Sequence, residues 1–566
     1  MKNQEFENAS QRKSYVGHVY SMGEKLQKDT VLNSLPTNWA QMHRNGEIHI
    51  HDLDAYGITY NCLTFNLLNS FPYSKLVTGS DYEKIIFIFD FLKEIIVKIG
   101  NEQSGGMSFA NFDDDIGTII NNLKVDFNNE NQLLIKSLIR SFILWCNNTH
   151  DRMGQVSYYV SLNFGLSLRT IGQRIAFYLL DEFENSGTDV IKPNLIFKVK
   201  SGINRNEQDP NFELYKKACL CTAKKMIPTY LLCDSVTNSK YEASEMAIMG
   251  CRTRVMQNEH GKETSIGRGN IDYITINLPR IALEIVSQNS YKIDDLIEQF
   301  LQKWRDKALI VREILLDRYK KLLSLSTADF PTNFLNNFWI TNFRKSEKLE
   351  NIFKNGTLSI GFIGLSETME ILTGEKFYKK NEIYSKSIYI VKKMREFVDE
   401  LRHSYQLNFT LLATNGEYIS GRFPKIDSTI YKHIIFEKGF YTNSFHVNVD
   451  SELSAKEKIR KEGIFHQFCN GGAITYVEIK SPPLGNYEGI QELIEEGINS
   501  GTSYLGFNFP VDICNECSET GIFDICTKCQ STNIKRIRRV SGYLEILDYF
   551  TDGKKAEVKN RIKNIN

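Results

Sequence analysis

Two Cys-x-x-Cys pairs near the C-terminal end of the sequence constrain the fold more than any other feature. Cys514 and Cys517 form the first pair, Cys526 and Cys529 form the second, and eight residues separate the pairs. Four thiolates with this spacing can surround one tetrahedral Zn²⁺, which favours a structural zinc site over redox thiols. A disulfide framework is not expected, because the chain has 11 cysteines in 566 residues and shows no secretory leader. We therefore predict a zinc clip that fixes the segment after it.

A glycine follows this zinc clip, in the run Arg538-Arg539-Val540-Ser541-Gly542-Tyr543-Leu544. Glycine alone has no side chain on its α-carbon, so a radical formed there by loss of a hydrogen can lie flat and delocalise over both flanking amides. The alternative is a turn, because Ser-Gly is a common turn dipeptide and glycine adopts positive φ at little cost. Taken alone the run favours the turn, whereas beside a zinc clip it indicates a radical site.

Composition excludes some classes of partner. The chain carries 69 lysines and arginines against 68 acidic residues, so its net charge favours neither a nucleic-acid nor an acidic-membrane partner. The most apolar stretch, Ile85 to Ile99, is interrupted by charged residues and falls short of the roughly 20 apolar residues that span a bilayer. We therefore expect a cytoplasmic protein, and the remaining cysteines fit a reducing compartment.

Periodicity indicates an α/β fold. Apolar residues repeat at helical spacing from Ile293 to about Leu325, and a second helix is bracketed by Ser80 and Gly100. Short β-rich runs, separated by helical stretches, are Val156 to Leu162, Ile271 to Ile276 and Ile474 to Ile479. Strand direction and barrel closure cannot be inferred from such patterns, and length alone gives only a prior of about three or four domains.

Five further segments carry motifs that occur in one order in one family. They are His49-Ile50-His51-Asp52-Leu53-Asp54 with Asn61-Cys62, Ile248-Met249-Gly250-Cys251-Arg252-Thr253, Gly267-Arg268-Gly269-Asn270, Gly361-Phe362-Ile363-Gly364-Leu365 and Tyr441-Thr442-Asn443-Ser444-Phe445-His446. With the zinc clip and the glycine loop, they make the chain resemble the anaerobic, class III ribonucleoside-triphosphate reductases of the glycyl-radical family. The resemblance runs from about residue 40 to about residue 550. One departure is Thr414-Asn415-Gly416-Glu417, where the family usually has Thr-Pro-Ala-Glu.

The resemblance implies a fold and a division of the chain. The fold would be a ten-stranded α/β barrel of the glycyl-radical type, followed by a zinc-bound glycyl radical loop. The expected parts are an N-terminal extension over 1–47, a catalytic barrel over 48–510 and a zinc and radical segment over 511–566. The last boundary falls near Pro510.

The resemblance also assigns the reaction, the reduction of ribonucleoside triphosphates to 2′-deoxyribonucleotides. Cys251 would become a thiyl radical that removes the 3′ hydrogen of the ribose, and Gly542 would store the radical between turnovers. Cys62 would deliver a hydrogen to the 2′ carbon from the other face. Asn270 offers an amide that can donate and accept hydrogen bonds to the ribose hydroxyls without ionising.

In the branch of the family with this asparagine and these two thiols, formate is the reductant. His49 and His51 alternate by two, would share one face of a strand and can orient formate or relay a proton; a structural role for both histidines remains the alternative. The landmark segment at Thr442, Asn443 and Ser444 is expected to contribute to substrate or formate binding.

Partners follow from the same resemblance. Ribonucleoside triphosphates would be substrates, dNTP and ATP would be effectors, and the protein would be a homodimer. A separate radical-SAM activating enzyme, with S-adenosylmethionine and an iron-sulfur cluster, would install the radical on Gly542. Residues 1–47 are too short for the ATP-binding module of larger family members, so we expect no overall inhibition by dATP.

Two other functions compete with this interpretation. A glycyl-radical formate-lyase typically has two adjacent active-site cysteines, whereas Cys251 is followed by Arg252. A zinc-ribbon protein that binds nucleic acid would need a basic, aromatic face near the zinc clip. The clip instead carries Asp512, Glu516, Glu519 and Asp524, opposed by Lys528.

Overall fold

The computed structural model describes residues 14–76, 78–149, 158–287, 292–346, 348–539 and 541–562. The beginning of the expected 1–47 extension, the first two residues of the β-rich run Val156 to Leu162 and residue Val540 of the glycine loop lie outside the described residues. The strands are β1 (Ile48–Ile50), β2 (Cys62–Phe65), β3 (Met107–Phe109), β4 (Val160–Phe164), β5 (Asn194–Val199), β6 (Thr229–Leu232), β7 (Arg268–Asn277), β8 (Thr357–Ile363), β9 (Asn408–Ala413), β10 (Thr475–Glu478), β11 (Tyr504–Asn508), β12 (Val511–Cys514), β13 (Thr520–Gly521), β14 (Ile534–Arg539) and β15 (Leu544–Ile546).

Helices alternate with these strands. They are α1 (Tyr15–Ser34), α2 (Thr37–Arg44), α3 (Leu67–Ser70), α4 (Asp81–Gly100), α5 (Phe112–Asn122), α6 (Asn129–Asn148), α7 (Thr170–Glu184), α8 (Phe212–Lys225), α9 (Leu278–Val286), α10 (Ile293–Leu323), α11 (Pro331–Asn336), α12 (Glu350–Phe353), α13 (Leu365–Thr373), α14 (Asn381–Tyr405), α15 (Ile419–Asp427), α16 (Ala455–His466), α17 (Tyr487–Asn499) and α18 (Asp552–Asn560). No helix in the described ranges is long and apolar enough to cross a membrane.

Ten strands form the wall of a barrel, in the order β10-β11-β6-β5-β4-β3-β2-β7-β8-β9. Strands β2 to β6 run parallel to one another, and so do β7 to β9 and the pair β10 and β11. The set β2 to β6 meets the other two sets in antiparallel pairs, β2 with β7 and β6 with β11. A bridge between Leu412 of β9 and Gly472, just before β10, brings the two ends of the path together. This architecture confirms the predicted α/β barrel.

Strand β7 is long enough to pair with two others along one edge. Its first residues pair with β2, and its last residues pair with β1, which joins the sheet outside the ten-strand path. Both N-terminal motif segments therefore lie beside the same strand, which also carries Asn270.

Two helices predicted from the sequence occur at the expected positions. Ser80 caps α4 with a full capping box, in which its hydroxyl accepts from the Glu83 amide and the Glu83 carboxylate accepts from the Ser80 amide. Helix α10 runs from Ile293 to Leu323 and buries one apolar stripe that includes Phe300 and Trp304. The predicted strands near Ile271 and Ile474 correspond to β7 and β10.

A second, four-stranded sheet begins at Val511 in the order β13-β12-β14-β15. All its pairs are antiparallel, and β12 pairs with β14 from Val511 opposite Ile537 to Cys514 opposite Ile534. Strands β14 and β15 form a hairpin in which Arg539 is opposite Leu544, so Gly542 lies in the connection between them.

Candidate active site

Cys251 lies at the tip of a hairpin in the long connection between β6 and β7. Met249 and Thr253 exchange both backbone hydrogen bonds, at 2.9 and 3.1 Å, which leaves three residues at the tip. The base of the hairpin is fixed to the wall, because the Ile248 amide donates to Asn163 Oδ1 over 2.9 Å and Ser108 Oγ donates to the Ile248 carbonyl over 2.8 Å. The wall strands thus determine where the Cys251 thiol is presented.

The hairpin fits between opposite sides of the barrel because glycines face it. A β-carbon at Gly106, before β3, would lie 2.9 Å from the Gly250 α-carbon. On the other side, a β-carbon at Gly472 would lie 2.1 Å from the Arg252 carbonyl oxygen. Real β-carbons do not approach backbone atoms this closely, so only glycine permits these two contacts. The tip therefore spans the barrel interior.

Gly542 makes the third backbone contact with this tip. A β-carbon on residue 542 would lie 1.8 Å from the carbonyl oxygen of Cys251 and 2.7 Å from its α-carbon. The flanking Ser541 and Tyr543 are buried. The loop from the small sheet therefore reaches into the barrel and brings the candidate radical glycine against the candidate thiyl cysteine.

Both candidate thiols retain their hydrogen at neutral pH. Burial, followed by the negative charge of Glu417, raises the pKa of Cys251 far above its usual range. Burial raises the pKa of Cys62 to about 12, against the opposing effect of the Gly106 amide. A thiolate would be a nucleophile or metal ligand, whereas a protonated thiol can donate a hydrogen atom. The environment of these cysteines thus suits hydrogen-atom transfer.

Cys62 begins β2 and faces the same interior as the hairpin. Its Sγ donates to Asn61 Oδ1 over 2.7 Å and accepts from the Gly106 amide over 3.2 Å. It also packs against Met249 of the hairpin. Gly106 therefore links the two cysteine segments, because its amide binds Cys62 and it lies so close to Gly250 that a β-carbon would not fit between them.

Asn270 is the direct cross-strand partner of Cys62 in the antiparallel β2–β7 pair. The side chains of such partners lie on one face of the sheet, only a few ångströms apart. Its amide contacts the hydroxyls of Thr357 and Ser359 on β8, at 2.9 and 3.0 Å. With the amide nitrogen turned to these hydroxyls, it also reaches the Asp272 and Thr357 carbonyls at 3.2 and 3.0 Å. A buried polar strip on β8 thus holds Asn270 beside Cys62.

Glu417 is a site residue that the sequence analysis did not select. Its Oε1 lies 3.7 Å from Cys251 Sγ, and its Oε2 accepts from the Tyr543 hydroxyl over 2.6 Å. The side chain is buried. A signal was present, because Glu417 is the residue retained at the end of Thr414-Asn415-Gly416-Glu417, where the two middle residues depart from the family pattern.

Arg252 ties the hairpin to the glycine loop. Its guanidinium donates to Ser541 Oγ over 3.2 Å, to the Tyr476 hydroxyl over 3.1 Å and to the Ala413 carbonyl over 3.2 Å. The residue is fully buried. Arg252, which follows Cys251, therefore binds Ser541, which precedes Gly542, beside the backbone contact between Cys251 and Gly542.

The segment Thr442, Asn443 and Ser444 lies beside Gly364, at the start of α13. Gly364 and Leu365 donate their amides to the Thr442 and Ser444 carbonyls, both over 3.0 Å. The Thr442 hydroxyl donates to Glu367 over 2.6 Å, and Asn443 Oδ1 accepts from the Gly416 amide over 3.0 Å. The segment is buried and reaches the Glu417 region through this last bond.

His49 lies in β1 and His51 directly follows that strand, and the two rings lie side by side. Their ring centroids are 4.5 Å apart, and both side chains are buried. His51 Nε2 lies 2.9 Å from Thr275 Oγ1, and its ring stacks on Tyr273 with centroids 4.0 Å apart. The two histidines thus lie beside β7, on which Asn270 is also placed.

The four cysteines of the zinc clip converge on one point. Their sulfur atoms all lie within 4.8 Å of one another, with Cys514 and Cys529 at 3.4 Å and Cys517 and Cys526 at 3.5 Å. Backbone amides of the second turn lower the pKa of Cys526 to about 7. The residues present therefore fit a tetrahedral Cys₄ zinc site, which would hold the turns at one end of β12.

The sequence profile of the anaerobic ribonucleoside-triphosphate reductases matches residues 7–563. The chain belongs to the anaerobic ribonucleoside-triphosphate reductase family. It is thus a member of a family of oxidoreductases, and the family resemblance and enzyme class predicted from the sequence are confirmed.

The chain is similar to a curated reductase in sequence and to solved structures in fold. The anaerobic ribonucleoside-triphosphate reductase of Escherichia coli strain K12 is 28% identical over 574 residues, which cover 94% of this chain and 79% of the relative. The Thermotoga maritima anaerobic ribonucleotide reductase, solved in complex with dATP and CTP, superposes with a TM-score of 0.71 at 14% identity, covering 97% of this chain and 92% of that one. A glycyl radical enzyme from Archaeoglobus fulgidus has a TM-score of 0.57 at 11% identity, covering 97% and 85%.

Proposed function

We propose that this reductase converts ribonucleoside triphosphates to 2′-deoxyribonucleoside triphosphates with a radical stored on Gly542 and transferred to Cys251. The observation that carries the proposal is the backbone contact, in which no side chain fits between residue 542 and Cys251. In the transfer, the Gly542 radical takes the hydrogen of the Cys251 thiol, which leaves a C–H bond on glycine and a thiyl radical on sulfur. Bonds of similar strength form and break, so the step is nearly balanced and reversible.

The thiyl radical then removes the 3′ hydrogen of the ribose, which makes the 2′ hydroxyl a better leaving group. Cys62 is proposed to return a hydrogen to the 2′ carbon, and its raised pKa supports this role because the thiol keeps its hydrogen. Asn270 is proposed to bind the ribose hydroxyls beside it. Cys62, Asn270 and Gly542 are buried and Cys251 is half-buried, an arrangement proposed to keep water and oxygen from the radical intermediates.

Formate is the proposed external reductant. One ribonucleoside triphosphate, one formate and one proton give one deoxyribonucleoside triphosphate, one carbon dioxide and one water. His49 and His51 are proposed to orient formate or relay its proton, supported by their burial and mutual contact. Thr442, Asn443 and Ser444 are proposed to contribute to substrate or formate binding.

The zinc clip is proposed to position the glycine loop. Support comes from the register of β12 with β14, which joins Cys514 to the strand that leads into the loop. Residues 511–566 would thus act as the radical-bearing part, and residues 48–510 as the catalytic barrel.

Partners follow from the chemistry. A radical-SAM activating enzyme, itself holding the iron-sulfur cluster and S-adenosylmethionine, would remove one α-hydrogen from Gly542. Ribonucleoside triphosphates as substrates and dNTP or ATP as effectors are supported by the Thermotoga maritima structure with dATP and CTP. We propose that the active form is a homodimer.

The test begins with anaerobic treatment by a radical-SAM activating enzyme and S-adenosylmethionine. Electron paramagnetic resonance should then show a glycyl doublet, and CTP with ¹⁴C-formate should give dCTP and ¹⁴C-carbon dioxide in a ratio of about one. Turnover without release of labelled carbon dioxide would exclude formate as reductant.

Cys251→Ala separates radical storage from catalysis. The variant should still acquire the Gly542 doublet, because the glycine remains, and should form no dCTP. Turnover by Cys251→Ala comparable with that of the wild type would exclude the proposed thiyl radical.

A further inference from the structure

Arg539 is the last residue of β14, three positions before Gly542. Its side chain is buried, and its guanidinium donates to three backbone carbonyls. Nε donates to Phe507 over 3.0 Å, Nη1 donates to Gly542 over 3.2 Å, and Nη2 donates to Met226. The carbonyl of the candidate radical residue therefore receives a hydrogen bond from a cationic group.

The neighbouring arginines on β14 have different partners. Arg538 pairs with Asp512 at 2.8 Å, and Arg536 pairs with the exposed Asp524 at 2.9 Å. Arg539 makes no ion pair within the described parts of the chain, and its three guanidinium nitrogens instead donate to carbonyl oxygens. Burying a guanidinium without a carboxylate in contact is costly, since the charge loses its hydration and the more distant charge of Glu478 compensates only in part. The arrangement therefore calls for a reason beyond packing.

We propose that Arg539 stabilises the radical stored on Gly542 through its hydrogen bond to the Gly542 carbonyl oxygen. The proposal rests on the proposed function, because it requires the glycyl radical. It gives Arg539 a role in setting how the unpaired electron is shared between Gly542 and Cys251.

The physical reason is the electronic structure of a glycyl radical. The unpaired electron is delocalised between an amide nitrogen that releases electron density and a carbonyl that withdraws it. A cationic donor on the carbonyl oxygen strengthens the withdrawal, and a charge-assisted bond in a buried site is stronger than the same bond in water. The thiyl radical of Cys251 gains nothing from this bond, so the exchange equilibrium moves towards Gly542.

Geometry adds to the electronic effect. Arg539 holds the carbonyl after the radical carbon, and Arg252 holds the Ser541 hydroxyl before it. Both guanidiniums restrict rotation about the loop, which favours the flat arrangement that delocalisation requires. Arg539 is thus distinguished from Arg252 because it alone binds an atom of the residue that holds the electron.

The first experiment uses the wild-type full-length protein grown with arginine labelled with ¹⁵N in the guanidino group. After anaerobic activation, pulsed electron paramagnetic resonance should show hyperfine coupling between the glycyl radical and a guanidino ¹⁵N. A glycyl doublet without such coupling would overturn the proposal. Absence of any doublet would instead overturn the proposed function, so the two failures are distinguishable.

Variants then separate an electronic role from a structural one. Arg539→Met removes the donor, Arg539→Lys retains a positive charge with a single donor group, and Arg536→Met is the matched control on the same strand. Zinc content and circular dichroism check that each variant is folded. We expect Arg539→Met to lose the ¹⁵N coupling and to shorten the anaerobic lifetime of the doublet about tenfold, equivalent to about 1.4 kcal/mol.

Arg539→Lys should recover part of that lifetime, and Arg536→Met should match the wild type in both measurements. A folded Arg539→Met with unchanged coupling and lifetime would overturn the proposal. If Arg539→Met does not fold, the labelled wild type and Arg539→Lys still decide. A wild type without ¹⁵N coupling, together with a wild-type doublet lifetime in folded Arg539→Lys, would contradict the proposal.

Discussion

Lys192 and Glu545 form an ion pair of 3.2 Å between the barrel and the strand that follows the glycine loop. Their side chains are 7% and 2% exposed, so the pair is almost completely removed from water. Lys192 lies just before β5, and Glu545 lies in β15, three residues after Gly542. The pair therefore joins the C-terminal sheet to the barrel through β15, the strand that follows the glycine loop.

Breaking this pair should destabilise the protein strongly. Lys192→Met leaves Glu545 as a buried charge without its partner, which is expected to lower the free energy of unfolding by about 3–5 kcal/mol. Urea unfolding would measure the loss. The double variant Lys192→Met with Glu545→Leu should recover most of it, because no unpaired charge remains.

The more accessible pair of Lys136 and Asp181, at 2.9 Å and with side chains 35% and 20% exposed, provides the control. Lys136→Met should cost less than about 1 kcal/mol, since ion pairs accessible to solvent contribute little. Equal losses in Lys192→Met and Lys136→Met would show that the buried pair has no special effect on stability.

Gly542→Ala should prevent both docking and radical formation. The added β-carbon would lie 1.8 Å from the Cys251 carbonyl oxygen, so the loop or the hairpin must move. We expect complete loss of the glycyl doublet and a decrease of about 1–3 kcal/mol in the free energy of unfolding, as for other overpacked sites. Gly23→Ala is the control, because no atom lies within 4 Å of its added β-carbon. A doublet in Gly542→Ala would mean that the radical resides elsewhere.

Cys517→Ser should abolish radical loading while the barrel stays folded. Loss of one of four ligands removes much of the local folding energy that zinc supplies, and the turns would no longer hold β12. Zinc analysis, circular dichroism and the glycyl doublet would be measured on the same sample. Lys528→Ala changes an exposed side chain between the second pair of ligands and should keep zinc and radical. A normal doublet in zinc-free Cys517→Ser would contradict the positioning role.

Glu462 should make stability depend on pH in a defined direction. It lies in α16 with its carboxylate buried, 4.0 Å from Lys458 and in contact with the Val447 amide, and the charge of Glu478 also acts on it. Burial raises its pKa from the usual 4.5 to about 7. Between these values the folded state holds a proton that the unfolded state has lost, so this contribution to stability is present at pH 4.5 and falls as pH rises to about 7.

Glu462→Gln removes that slope. The free energy of unfolding of the variant minus that of the wild type should increase from pH 5 to pH 8 by about 3 kcal/mol. Urea unfolding at a series of pH values would measure the difference. A constant difference across this range would show that Glu462 does not titrate as its burial implies.

Motifs with local geometry could be predicted well from the sequence. The zinc clip needs only the spacing of four cysteines, and the α4 cap needs only Ser80 and Glu83, so both are encoded within a few residues. The position of Gly542 against Cys251 required the family resemblance, because 290 residues separate them and no periodic pattern spans that distance.

Other features could not be predicted because they arise from pairing between distant strands. The antiparallel junction that sets Cys62 opposite Asn270 depends on sheet order, which apolar periodicity does not encode. Glu417 was missed for the same reason, since its contacts with Cys251 and Tyr543 come from two other parts of the chain. Its burial has no local sign in the sequence, and only its retention at the end of the family motif marked it.

The three glycine contacts around the cysteine hairpin couple chemical competence to complete folding. Gly106, Gly472 and Gly542 come from the early, late and final parts of the sequence, and each touches a different residue of the tip. A chain emerging from the ribosome can form β3 long before the other two contacts exist. The Cys251 sulfur is consequently set in place only by the finished protein, in which the early, late and final parts of the sequence all contact the tip.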